Sequence, residues 1–443
     1  MDLGYKTLEG KRVNMKATVY SVKRLIAYWL NNRTFAIWAA AILTVLVRLG
    51  ISFAFRTYQF DTANDHWAFG YEWARIAKWL VETGMFSLDG ISPHTRTDPV
   101  YVWIIASFFY VFGPFTTAAA IGLIVLQCLL DGLSAWAIFA LGERAYGSVE
   151  ARVGSFLFAL YPGAVFFAVG RIGVLNLTIL LLCLVFLVTF KLADTLRLKW
   201  ATLAGFLLGL LILTSSKPLS LIIIIPLWLL WVSKKQRLRM AFISLILVAT
   251  TIAVMLPWSV RNSLVEGEPT ISKNGIGRVL WVGNNSNATG YTTILPEPSH
   301  PVTDYEYFQK ALSWIENNPA DFAFLTLKRI IIFWSIIPSH SSIPYILNDL
   351  LFLMLAGLAM VGVLWPGEKS KRHWLLLGFL AAFPALFYVT YIPAQRHRYH
   401  VEPVILIVAS HGIRRLCDMF YSKPLLRLTS DLETFPHVVA KEL

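Results

Sequence analysis

Uninterrupted apolar stretches, each long enough to cross a hydrocarbon layer of ~30 Å, recur along almost the whole chain. Ten are read as spans, at roughly 34–55, 116–141, 153–170, 172–190, 200–216, 218–232, 240–258, 345–364, 373–391 and 401–416. Two polar insertions, 56–98 and 259–321, interrupt the pattern, and counting crossings puts both on the same side of the bilayer. Two other apolar pieces are left out. Pro99–Gly113 has 15 residues, ~22 Å as a helix, and counting it would reverse every later loop. Segment 322–338 carries Lys328 and Arg329 at its centre, which a lipid-facing span resists. Both are expected to lie as helices in the outer interface. The pattern predicts an all-α integral membrane protein of about ten spans. Residues 34–416 form one polytopic domain with outer loops 56–115 and 259–344, and 1–33 and 417–443 are polar tails.

Composition agrees. With 56% hydrophobic residues, 15% charged residues and a mean hydropathy of +0.60, this chain of 443 residues is too apolar for a soluble globule. The formal charge of +13 suggests a nucleic-acid partner until its distribution is considered. Of 39 Lys and Arg, 24 fall in segments on the side of the N-terminus, 14 on the other side, and Arg48 lies within a span. The positive-inside rule then puts both termini in the cytoplasm and both long loops outside. The expected location is the bacterial inner membrane, with no nucleic-acid partner. The first span lacks a small-residue cleavage site and reads as a retained anchor. Cys128, Cys183 and Cys417 all sit in apolar runs without a CxxC pair, so neither a disulfide framework nor a zinc site is expected.

Candidate chemistry gathers in the loops. Asp61, Asp65, Glu72 and Asp98 mark the first. Apolar spacing from Trp67 to Leu80 predicts a helix capped by Asp65 and stopped at Gly84, with Asp65 and Glu72 on one face. A carboxylate there could take a proton from an acceptor hydroxyl or amine; the plainer reading is a cap and a solvated acid. In the second loop, Pro257 is expected to end a span and leave Arg261 at headgroup depth, where a guanidinium can pair with phosphate. The run Gly283-Asn284-Asn285 offers turns and amides that could hold sugar hydroxyls. Gln127 and Asp131, at helical spacing within a span, read as interhelical hydrogen-bonding groups nearer the cytoplasmic side.

Four stretches together resemble the GT-C superfamily of polyprenyl-phosphate-dependent glycosyltransferases, in the branch of protein O-mannosyltransferases and the aminoarabinose transferase (glycosyltransferase family 39-like). They are Asp65–Gly84 with Pro93–Gly113, Leu213–Pro218, Pro257–Asn262 running into Trp281–Tyr291, and Arg398–Pro403. The third is similar to the family's "PWxxRN…lwxGNnpxAtGxY". The resemblance implies a GT-C bundle and an inverting transfer of a sugar from a polyprenyl-phosphate donor to a lipid, glycan or protein acceptor. It implies a first-loop carboxylate as base, here Glu72, Asp65 or Asp98 with Asp61 behind them. Cations would hold the donor phosphate, here Arg261, Arg398, Lys217, Arg278 and Arg396, with His397 and His400 beside them and Arg171 lower in rank. The chain departs from the pattern at Phe69, where relatives carry an acid, and at Thr97-Asp98-Pro99, where the acid is displaced by one residue. No protein metal site is expected from the residues, although the superfamily admits a divalent metal. The rival readings are a lipid-linked sugar flippase or transporter and a surface-polysaccharide polymerase or ligase.

Overall fold

Asn32 opens the first helix: its Oδ1 accepts the amide of Phe35 at 2.9 Å, and α1 (Arg33–Phe55) runs until Arg56 turns left-handed at φ 51°. The computed structural model describes residues 32–59, 69–70, 72–271, 275–290, 302–334, 343–365, 370–390 and 395–420. Helices α2 (Glu72–Thr83) and α3 (Pro99–Phe112) follow in the first loop. The bundle continues with α4 (Thr117–Ala145), α5 (Ser148–Leu160), α6 (Pro162–Val169), α7 (Leu175–Thr195), α8 (Leu198–Thr214), α9 (Leu221–Val232) and α10 (Arg237–Glu266). The second loop contributes α11 (Ile276–Gly283), α12 (Asp304–Asn317) and α13 (Pro319–Phe333). The chain then closes with α14 (Ile343–Leu364), α15 (Ser370–Val389), α16 (Gln395–Arg398) and α17 (Glu402–Phe420).

Six described helices are long and apolar enough to cross a membrane, or seven if the bent pair α5–α6 is one span. The chain is a multi-pass membrane protein. The expected ten exceeds this number because the α8 and α9 regions are shorter apolar pieces, and α17 ends in Arg414, Arg415 and Asp418.

Three expectations need correction. The helix expected from Asp65 starts at Glu72, because Gly70 takes φ +77° and a turn precedes it. Asp65 lies outside the described residues. Gly84 does stop α2, at φ +75°, with its amide on Leu80 O at 3.1 Å. Pro257 does not end a span: α10 runs through it to Glu266 and stops at Gly267, φ +74°. A membrane helix tolerates such a proline because neighbours can meet the one carbonyl it leaves free. The third correction concerns 153–170, which is two helices bent by 51° at Tyr161-Pro162.

That bend has a local cause and a distant compensation. Pro162 has no N–H for the carbonyl four residues back, which is that of Phe158. Arg48 of α1 fills the place, donating to Phe158 O at 3.2 Å and to Ala159 O at 3.0 Å. Its charge is answered by Asp131 of α4, whose other oxygen accepts from Asn176 Nδ2 at 2.8 Å. Arg48 is fully buried, and Asp131 nearly so. Elsewhere the bundle closes through small residues. Gly205 and Gly209, four apart on α8, let α10 approach so closely that a Cβ on Gly209 would stand 3.1 Å from Thr251 O and 2.7 Å from Val254.

Removing one member of the buried pair strands the other. Arg48→Met is expected to cost about 3–5 kcal/mol, seen as a lowered unfolding temperature of the detergent-solubilised protein. Arg48→Met with Asp131→Leu should recover part of the loss, and no recovery would mean that the carbonyl bonds outweigh the ion pair.

Candidate functional site

Three interruptions of the helical chain meet at the end that carries the loops, and a cavity of about 350 Å³ lies between them. The first is the turn before α2, bringing Gly70, Glu72 and Trp73. Gly70 is required there: a Cβ would stand 2.6 Å from the Trp73 ring and 2.8 Å from Ile172 O, in a backbone region that already favours glycine. The second is the turn between α6 and α7, bringing Arg171 and Gly173. Gln127 of α4 pins that turn, donating to Ala168 O at 2.7 Å and Arg171 O at 3.1 Å while its Oε1 accepts from Gly173 N at 2.8 Å and Tyr101 Oη at 2.6 Å. The third is the 3-10 turn Lys217–Ser220 between α8 and α9, which presents Lys217. The amide of Ser216, just before it, donates to Asp98 Oδ2 at 3.1 Å. His397 of α16 completes the wall.

One exposed carboxylate therefore shares a cavity with Arg171, Lys217 and His397. Glu72 Oε2 accepts from Thr97 Oγ1 at 3.3 Å, and Thr97 lies 2.9 Å from His94 Nε2. With Thr97 donating to the carboxylate, His94 donates in turn from Nε2–H, which in the neutral ring is the Nε2 tautomer. Burial first, and then the charges of Arg96 and Arg261, hold His94 down to about 4. His400 is also buried, and burial together with the nearby Lys217 ammonium keeps it well below its ordinary value. Among the described residues no three His, Cys, Asp or Glu side chains converge as metal ligands.

The structure divides the candidates. Glu72 and Lys217 line the cavity, and Asp98 is buried behind it on the Ser216 amide. Asp61 and Asp65 lie outside the described residues, as does the side chain of Arg396. Arg261, expected to face a phosphate, sits within α10 and reaches into the first loop. It donates to His94 O at 2.6 Å and Phe86 O at 3.4 Å, and it lies over the rings of Phe86 and Trp258 at 5.4 and 5.0 Å. Arg398 is buried between Asp349 at 3.1 Å and Glu402 at 2.9 Å, over the Phe352 ring. Both cations serve internal partners rather than the cavity.

Arg278 is exposed on α11, where its amide and that of Gly277 are held by Asp304 at 2.9 Å each. Asn284 and Asn285 are buried, their amides on Leu280 O and Trp281 O at 2.8 Å, and a Cβ on Gly283 would collide with Thr390 O. These three build the loop rather than offering groups to a ligand. Gln127 lies deep in α4 but acts toward the cavity end, not the opposite one, and sequence alone gave no sign that it shapes the site. Arg171 had a signal, a cation between two glycines directly after a proline-bent helix.

Residues 93–260 match the sequence family described as dolichyl-phosphate-mannose-protein mannosyltransferase. The fold matches that of the oligosaccharyltransferase of Archaeoglobus fulgidus in the apo form, with a TM-score of 0.54 and 14% identity over 92% of this chain and 52% of that one. The same organism's oligosaccharyltransferase AglB, in complex with an inhibitory peptide and a dolichol-phosphate, matches at 0.54 with 15% identity and the same coverage. This chain shares the fold of those oligosaccharyltransferases over most of its length. It spans about half the length of those oligosaccharyltransferases. ArnT from Cupriavidus metallidurans bound to undecaprenyl phosphate covers 84% of this chain and 77% of its own, at 13% identity, but its TM-score of 0.38 is too low to support a shared architecture. No curated protein matches the chain in sequence.

His94, linked to Glu72 through Thr97, is held neutral by its burial. Its pKa is depressed in the fold, from 6.5 to about 4, so the stability it contributes is complete above 6.5 and is lost as pH falls toward 4. Between those values the unfolding temperature should drop, and His94→Gln should flatten that part of the profile. An unchanged profile would show that His94 does not carry the effect.

Proposed function

We propose that this chain is a GT-C membrane glycosyltransferase that moves a sugar from a polyprenyl-phosphate donor to an acceptor at the outer face of the bacterial cytoplasmic membrane, with both termini in the cytoplasm. The observation that carries the reading is the cavity itself, which sets Glu72 among Arg171, Lys217 and His397. Sugar transfer from a phosphate needs a base for the acceptor and cations for the leaving group in one low-dielectric space. In this reading Glu72 takes the proton of the acceptor hydroxyl or amine. The acceptor atom bonds to the anomeric carbon, and the bond from that carbon to the phosphate oxygen breaks with its electron pair. Lys217 and Arg171 hold the phosphate as its charge grows. Attack opposite the leaving group inverts the anomeric centre.

Thr97, on the Glu72 carboxylate, positions the base. Asp98 positions Lys217 through the Ser216 amide and has no direct part in proton transfer. Arg261 and Arg398, tied to other partners, are not donor ligands here. Arg261 instead ties α10 to the first loop.

Glu72→Gln should lower turnover by ~10²–10⁴-fold with donor affinity little changed. Lys217→Ala and Arg171→Ala should instead weaken donor binding, each by ~1.5–3 kcal/mol. The assay incubates purified protein with a panel of polyprenyl-phosphate sugars and identifies products by mass spectrometry. Near-normal turnover in Glu72→Gln would remove it as the base.

Orientation has a separate test. In a background without native cysteines, Ile91→Cys and Ile271→Cys, at positions 81% and 64% exposed, should react with an impermeant thiol reagent in intact cells, while Gln236→Cys and Glu368→Cys should not. The opposite labelling would invert the topology and move the cavity to the cytoplasmic face.

A further inference from the structure

A second cavity, of about 450 Å³, lies among the second-loop elements and takes no part in the proposed reaction. Its volume falls within the ~300–1,000 Å³ common for small-molecule sites. One wall is the junction of α12 and α13. Asn318 ends α12 and Pro319 starts α13, which brings Trp314, one turn before the junction, beside Asp321, in the first turn after it. The Asn318 amide donates to Trp314 O at 2.9 Å and fixes the corner. Along α13, Asp321, Phe324 and Lys328 recur at helical spacing and line the same space. The facing wall is the turn from Asn285 to Thr289.

That turn is held from below by a buried arginine. Arg329, fully buried, donates to Asn284 Oδ1 at 3.2 Å, to Tyr388 O at 3.0 Å and to the carbonyl of Gly283. Asn284 passes its own amide to Val389 O at 2.9 Å, and Asn285 Oδ1 accepts from Asn287 N at 2.8 Å. Both walls are set before any ligand arrives, which lowers the ordering cost of binding.

We propose that this cavity binds a neutral pyranose ring of the acceptor, which makes the acceptor a glycan. The acceptor assignment rests on the transferase reading above; the saccharide site itself does not. A pyranose presents C–H faces and a rim of hydroxyls. Trp314 and Phe324 offer apolar aromatic surface for the first. Asp321, Thr289, Ser286 and Lys328 offer acceptors and donors for the second. One carboxylate is balanced by one ammonium, so the cavity favours neither an anion nor a cation, in contrast to the basic cavity around Lys217.

A line of stacked rings runs from α13, the helix that walls the second cavity, to the first. Phe333, one turn beyond Arg329 on α13, stacks on Phe387 at 6.0 Å, and Phe387 stacks on His397 of the first cavity at 4.9 Å.

Calorimetry on the full chain in detergent tests the site with methyl α-mannopyranoside, maltotriose and N-acetylchitotriose as neutral probes, sialyllactose as an acidic one and a Ser/Thr-rich peptide. At least one neutral saccharide should bind. Trp314→Ala and Asp321→Asn should each weaken it by about tenfold, Trp314→Phe should keep most of the affinity, and Glu72→Gln should leave it unchanged. Unfolding temperatures equal to that of the unaltered protein exclude misfolding as the cause. Absence of neutral-saccharide binding would overturn the proposal, as would binding indifferent to both variants or binding of the peptide alone. Saccharide binding without transfer from any polyprenyl-phosphate sugar would sink the transferase reading and leave the site standing.

Discussion

Inside a bilayer a backbone carbonyl without a partner has no water to turn to, so each interruption of a helix must be answered by a side chain from elsewhere. The whole loop end of this protein follows from that constraint. Arg48 meets the carbonyls of Phe158 and Ala159 beside the Pro162 break. Gln127 meets those of Ala168 and Arg171 in the next turn. Arg329 and Asn284 meet those of Gly283, Tyr388 and Val389. Arg261 does the same for Phe86 and His94 in the first loop. A long polar side chain reaches each break, and the irregular backbone so stabilised is what opens a cavity where straight helices would have closed it.

Much of the fold was legible in the chain, because length and apolarity mark a membrane helix almost by themselves. The helix bounds near 34–55, 345–364 and 373–391 follow from composition alone. What periodicity could not register was backbone sign. The apolar spacing runs smoothly from Trp67 to Leu80, and nothing in it announces that Gly70 turns left-handed and begins a new helix two residues later. Pro257 misled in the other direction, since a breaker in water is only a local defect in lipid.

The candidate site was half legible for a similar reason. Sequence shows where a cation stands, not what stands opposite it. Lys217 and Arg261 looked alike as basic residues at predicted span ends, yet one lines a cavity and the other lies across carbonyls and rings. Arg398 is engaged by Glu402, four positions on, and by Asp349, 49 positions away in the chain. Glu72 was one of four acids that the first loop offered, and its link to Thr97 and His94 needed the fold.

The bend at Pro162 has a consequence for how this protein can vary. A residue with an amide at that position would return the Phe158 carbonyl to its own helix, and Arg48 would lose part of its reason to be buried. Asp131 would then be an acid in the bilayer with only the Asn176 amide to answer it. Positions 48, 131, 162 and 176 lie on four different helices but form one unit of inheritance. Among relatives they should covary, retained together where the bend is kept and exchanged together for apolar residues where the helix runs straight.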